Sequence, residues 1–107
     1  MDMNDFFVEI SKPLKEEDSG SSIEKLFKLS QAINMMTPNE LISFFQALSM
    51  LKKMQPWHIF KKNLVRERII DTQLLVINAM QNYKGHAARF NNVIGDEWIR
   101  GYQYHIN

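Results

Sequence analysis

Cysteine is absent from this chain of 107 residues, which removes disulfide frameworks and thiolate chemistry from its means. Glycine and proline are scarce, four and three respectively. Nowhere do the glycines gather into a phosphate-binding loop, and no internal repeat or low-complexity tract is visible. No apolar run approaches the ~20 residues that span a bilayer. The N-terminal MDMNDFFVEI is acidic where a signal peptide would be basic. The three histidines, His58, His86 and His105, are far apart and lack the H-x-x-x-H spacing of a helical metal site. No serine stands in the strained G-x-S-x-G turn that exposes a nucleophile. The sequence therefore offers no catalytic residue, metal ligand or cofactor site, and a soluble, cytoplasmic, non-enzymatic protein without a membrane span or small-molecule substrate is expected.

What is present is a foldable composition, 45% hydrophobic and 23% charged, in a length that suits one modest domain. The run Leu41 to Leu51, LISFFQALSML, is chargeless and has eight apolar positions. Thr37-Pro38-Asn39-Glu40 precedes it with an N-cap threonine, a proline at the first helical position and a glutamate at the third. Leu41, Phe44, Phe45, Leu48 and Leu51 fall on one face of a helix over about 38–54. Ile42, Ala47, Met50 and Met54 widen that face, and Ser43, Gln46 and Ser49 form a narrow polar strip. A helix with this much apolar surface needs cover from its own chain, from a second copy, or from a partner.

Two more helices follow from the same spacing. Ser21 and Glu24 make a capping box for a helix over about 22–35, with Ile23, Leu26, Phe27, Ile33 and Met36 at roughly helical spacing and Lys25 and Lys28 on the other side. Pro56-Trp57 forces a corner before a third helix over about 57–83. That helix carries Val65, Ile69, Val76, Met80 and Tyr83 on one side and leaves Arg66, Arg68, Asp71, Gln73 and Asn78 to solvent, with Lys84-Gly85 as its stop. A short fourth helix over about 86–94 ends at Gly95. The expected fold is all-α, a small bundle of three long helices plus a short C-terminal helix. The aromatics Trp98, Tyr102 and Tyr104, and the N-terminal DFFVEI, leave room for a minor terminal strand pairing. Residues 1–22 read as an acidic arm and linker, 23–95 as a single helical domain, and 96–107 as an aromatic tail.

The net charge of +1 is unevenly spread: residues 1–24 set seven carboxylates against two lysines, and residues 52–68 set six cations against Glu67 alone. Lys52, Lys53, Lys61, Lys62, Arg66 and Arg68 form a candidate basic patch, available to the acidic arm, to an acidic partner or to nucleic acid. Phe44, Phe45, Met50, Met54 and Trp57 are candidate anchors for a protein partner or for a homodimer.

Two resemblances bear on function. From Ile23 to about Met80, the Thr37-Pro38 pair, Phe44-Phe45-Gln46-Ala47-Leu48, Pro56, Phe60, Arg66, Ile69-Ile70 and Ile77 resemble the TyeA-type helical subunits of bacterial type III secretion gatekeepers. That resemblance implies a cytoplasmic helical adaptor that holds another helical protein and restrains export. Over about 74–98, Tyr83-Lys84-Gly85, Arg89 and Gly95 resemble a Fis-type helix–turn–helix, although Asp96-Glu97-Trp98 stands where that family has a basic recognition helix. The expected function is a helical adaptor or regulator acting by protein–protein interaction, in secretion control or as a phage- or plasmid-type inhibitor. A small DNA-binding regulator is the alternative, using Lys61, Lys62, Arg66, Arg68 and Arg89.

Overall fold

The structure, a computed structural model, describes residues 19–55 and 64–107, with backbone alone for residues 19–23 and for Leu26. The DFFVEI segment, the Pro56-Trp57 corner, His58, Phe60, Lys61, Lys62 and the expected start of the third helix lie outside the described residues. Four α-helices follow in chain order: α1 Ser19–Asn34, α2 Pro38–Lys53, α3 Leu64–Met80 and α4 Ala87–Ile94. A 3-10 turn, Lys84–His86, precedes α4, and two short strands, β1 Trp98–Ile99 and β2 Tyr102–Gln103, follow it. The described residues are all-α apart from this two-stranded antiparallel ribbon.

The entry to α2 forms as its sequence dictates. Thr37 is extended, its hydroxyl accepts from the Glu40 amide at 3.2 Å, and the Glu40 carboxylate accepts from the Thr37 amide at 3.0 Å. Two amides that the first turn would leave without partners are thereby satisfied. The start of α1 differs. That helix is already formed at Ser19, so Ser21 sits inside it and does not cap it. The end of α3 differs too. The α-helix ends at Met80, after which the bonding tightens to three-residue spacing: Gln81 donates to the Asn78 carbonyl at 3.2 Å, Asn82 to that of Ala79 at 3.1 Å, Tyr83 to that of Met80 at 3.0 Å, and His86 to that of Tyr83 at 2.9 Å. Gly85 lies within this 3-10 turn without a positive φ, so no left-handed cap forms there.

Helix α2 packs along α3, which also carries α1, and α4 lies against α2. Leu41, Phe44, Phe45 and Leu48 from α2 meet Ile69, Val76 and Met80 from α3 and Phe90 and Ile94 from α4. Each such side chain taken out of water contributes roughly 1.5–3 kcal/mol before entropy is counted. Leu29 and Ile33 close the core from α1, and the Tyr83 hydroxyl donates to the Met36 carbonyl at 3.0 Å, tying the end of α1 to the α3–α4 connection. The long helix α2 is thus covered at home along its inner face.

The core continues beyond residue 95. Ile99 and Ile106 are both fully buried in it, so the segment read as a tail belongs to the domain. Gly95 makes this possible: its φ of 56° and ψ of −135° are those of the first central residue of a type II′ turn, closed by the Glu97 amide on the Ile94 carbonyl at 3.1 Å. An added Cβ there would meet nothing nearer than the Asn92 carbonyl oxygen at 3.7 Å, so backbone conformation alone demands glycine. A second reversal follows at Arg100-Gly101, both at positive φ, as in the type I′ turns that join short antiparallel strands. It pairs Trp98 with Gln103 and Ile99 with Tyr102.

Candidate functional site

The five candidate partner anchors separate. Phe44 and Phe45 lie in the core and present nothing to solvent, which corrects their reading as a docking surface. Both fall on the inner stripe of α2, and a buried Phe on a helix stripe is accounted for by the fold itself. Met50 stands on the opposite side of the helix, 67% exposed, and Met54 follows at its C-cap, 76% exposed. Trp57 lies outside the described residues. Outward with the two methionines point Ser43, Gln46 and Lys53, so the polar strip stays in water at its first two members only.

The basic patch separates as well. Lys53 is exposed, whereas Lys52 is 7% exposed and belongs to the inside of the molecule. Its ammonium donates to the Gln73 side-chain oxygen at 3.0 Å and forms an ion pair with Glu97 Oε1. Arg66 is half-buried and donates to the Lys52 carbonyl at 3.0 Å, so it ties the start of α3 to the end of α2. Arg68 is half-buried. Lys61 and Lys62 lie outside the described residues. Lys52 and Arg66 are thus engaged within the fold and do not form an open cationic face.

Around Lys52 stands the most organised polar group among the described residues. Ser49 Oγ donates to Glu97 Oε2 at 2.8 Å and accepts from Gln73 Nε2 at 2.9 Å, and the same Gln73 nitrogen lies 3.3 Å from Glu97 Oε1. Gln73, expected to face solvent, is fully buried, and both ends of its amide are used. One carboxylate is therefore met by an ammonium, a hydroxyl and an amide from two facing helices. Burial pushes the Glu97 carboxyl up, but the Lys52 and Ser49 hydrogen bonds, the Lys52 charge and the Gln73 bond outweigh it and hold it below the ordinary 4.5.

Two further contacts fasten the segment that carries Glu97. Arg100, held at φ 53°, pairs with Asp71 and with Glu67 Oε2 at 3.5 Å on α3. Asn91 grips the backbone of Ile106, donating to its carbonyl at 2.8 Å and accepting from its amide at 2.7 Å. This side-chain amide replaces a strand partner and seats Ile106 in the core. Glu97 is committed to Lys52, and His105 lies beside Asn91, so the two do not pair.

No family model, characterised protein or solved structure matches this chain. Among the described residues, no three His, Cys, Asp or Glu side chains come together as a metal site would require, and no helix is long and apolar enough to cross a membrane. The other large apolar side chains left in water among the described residues are Phe27 and Met35 on and just after α1, Leu64 at the start of α3, and Trp98 and Tyr102 on the ribbon.

The Lys52 group was legible in principle. Leu41, Phe45, Leu48 and Lys52 fall at i, i+4, i+7 and i+11 on α2, while Ile69, Gln73, Val76 and Met80 repeat that spacing on α3. Each apolar stripe thus carries one polar residue, and a lysine on such a stripe requires a counter-charge. Which carboxylate supplies it depends on the fold of residues 95–99, which no local spacing encodes.

Proposed function

We propose that this chain is a non-enzymatic helical adaptor or regulator that acts in the cytoplasm by holding another helical protein against the outer face of α2. The observation that carries this reading is the pair Met50 and Met54, one turn apart and exposed on a helix whose other face is fully used in the core. Methionine is flexible and polarisable, and it is over-represented on surfaces that grip apolar helices of varied shape. Lys53 lies between them and supplies a cation for an acidic rim on the partner. The resemblance to secretion-gatekeeper subunits supports the same kind of partner.

A photo-crosslinking residue placed at position 54 of the full chain, expressed in its native host, tests this. One discrete protein adduct is expected, and Met50→Glu should abolish it while leaving the helical circular dichroism intact. Absence of any adduct, or a smear unaffected by Met50→Glu, would count against a docking face. DNA binding makes a different prediction, namely duplex affinity at low ionic strength that falls steeply with added salt.

A further inference from the structure

Residues 96–107 lie across the seam between α2, α3 and α4 as a strap that folds back on itself in the β1–β2 ribbon, and the strap touches the helical body at a few separate points. Ile99 and Ile106 enter the core and Tyr104 packs half-buried against it, while Trp98 and Tyr102 remain 63% and 68% exposed. The rest of the attachment is polar: Glu97 in the Ser49–Lys52–Gln73 pocket, Arg100 on α3, and the Ile106 backbone in the grip of Asn91. An asparagine amide that reads a backbone carbonyl and amide together accepts any residue there that can be extended. The pocket is equally indifferent to whose carboxylate fills it. Gln73, fully buried, fixes both Lys52 and Ser49, so the donors are arranged by the helices before a carboxylate arrives. A nearly buried ammonium needs an anion, and the strap provides it from the same chain.

We propose that the Ser49–Lys52–Gln73 pocket is a carboxylate-recognition site for an acidic–aliphatic β-hairpin of a partner protein, and that residues 96–107 are its tethered, autoinhibitory occupant. The strap itself defines the ligand: a carboxylate two residues before an aliphatic side chain, a tight reversal, then a second aliphatic residue whose backbone meets Asn91. Exchange opens the Glu97, Arg100 and Asn91 contacts and remakes them with the incoming segment, while the hinge is the two residues Gly95 and Asp96. The proposal rests on the protein-binding reading but uses a different surface from Met50 and Met54, so the two fail separately.

A fluorescent peptide with the sequence of residues 95–107, titrated into the full chain, tests it. The Glu97→Lys chain keeps the pocket and repels its own strap, so it should bind this peptide at least about tenfold more tightly than the wild-type chain. A peptide with glutamine in place of its glutamate should lose about tenfold or more on the same chain. A folded Glu97→Lys chain that binds neither peptide, or both alike, overturns the proposal. Should that variant lose its helical dichroism, hydrogen exchange on the wild-type chain decides. The Glu97 and Ile106 amides must exchange through openings that leave the Leu48 amide protected, and equal protection of all three overturns the proposal. Wild-type dimers that disappear in Glu97→Lys would assign the pocket to a second copy's strap, which also overturns it.

Discussion

At the scale of single residues, α2 divides its side chains between two tasks, and substitution separates them. Phe45→Ala empties a filled site and should cost about 3–5 kcal/mol in chemical denaturation. Met50→Ala and Met54→Ala each remove exposed atoms and should change stability by less than ~0.5 kcal/mol. A large loss from either methionine would place it in the core and remove the docking argument. Lys52 and Glu97 behave as a unit. Lys52→Met leaves a half-buried carboxylate with neutral donors only, and Glu97→Gln leaves a nearly buried cation, so each single change should cost more than the pair changed together, by a coupling of ~2 kcal/mol. The pH dependence follows from the direction of the Glu97 shift. A carboxyl held below its unfolded value contributes stability fully present above that value, near 4.5, and lost as pH falls through the lower folded value. The wild-type denaturation midpoint should therefore fall with acidification below about pH 5, and Glu97→Gln should flatten part of that slope. Glu40, held low by the Thr37 amide and hydroxyl, contributes in the same direction and remains in the variant as the residual slope.

At the scale of elements, what could be read from the chain is what is set locally. The Thr37–Glu40 box and Pro38 fix the start of α2 within four consecutive residues, and Gly95 ends α4 because its backbone conformation excludes a side chain of L configuration. The stop expected at Lys84-Gly85 is displaced because tertiary packing, with Tyr83 drawn to Met36, decides where α-helical hydrogen bonding ends. The β ribbon was legible only as aromatic content. Its type I′ turn holds an arginine at φ 53°, a conformation that disfavours arginine by roughly 1–2 kcal/mol. Arg100 is retained there in contact with Glu67 and Asp71, exposed ion pairs worth about 0.2–1 kcal/mol each. Arg100→Asn trades one effect for the other and should leave global stability within ~1 kcal/mol of wild type, measured by urea unfolding. A loss well beyond that would mean that the strap depends on the ion pairs more than on its apolar anchors.

At the scale of the whole molecule, a helical body is closed by its own C-terminal segment, and the partners of that closure are 45 residues apart in the chain at Lys52 and Glu97. Composition and periodicity reach as far as the helices and the inner stripe of α2. They do not reach this pairing, nor the burial of Ile99 and Ile106, because both depend on two reversals at Gly95 and at Arg100-Gly101. In the molecule that results, α2 has its inner face committed to the core and the carboxylate pocket, while Ser43, Gln46, Met50 and Lys53 on its outer face are exposed. The most direct measurement of that division is a methyl spectrum of the methionine-labelled full chain, recorded with and without the protein that cross-links from position 54. The account predicts that the Met50 and Met54 methyl signals shift or broaden on addition while that of Met80, buried in the core, stays in place. Unmoved Met50 and Met54 signals in a formed complex, or a displaced Met80 signal, would contradict it.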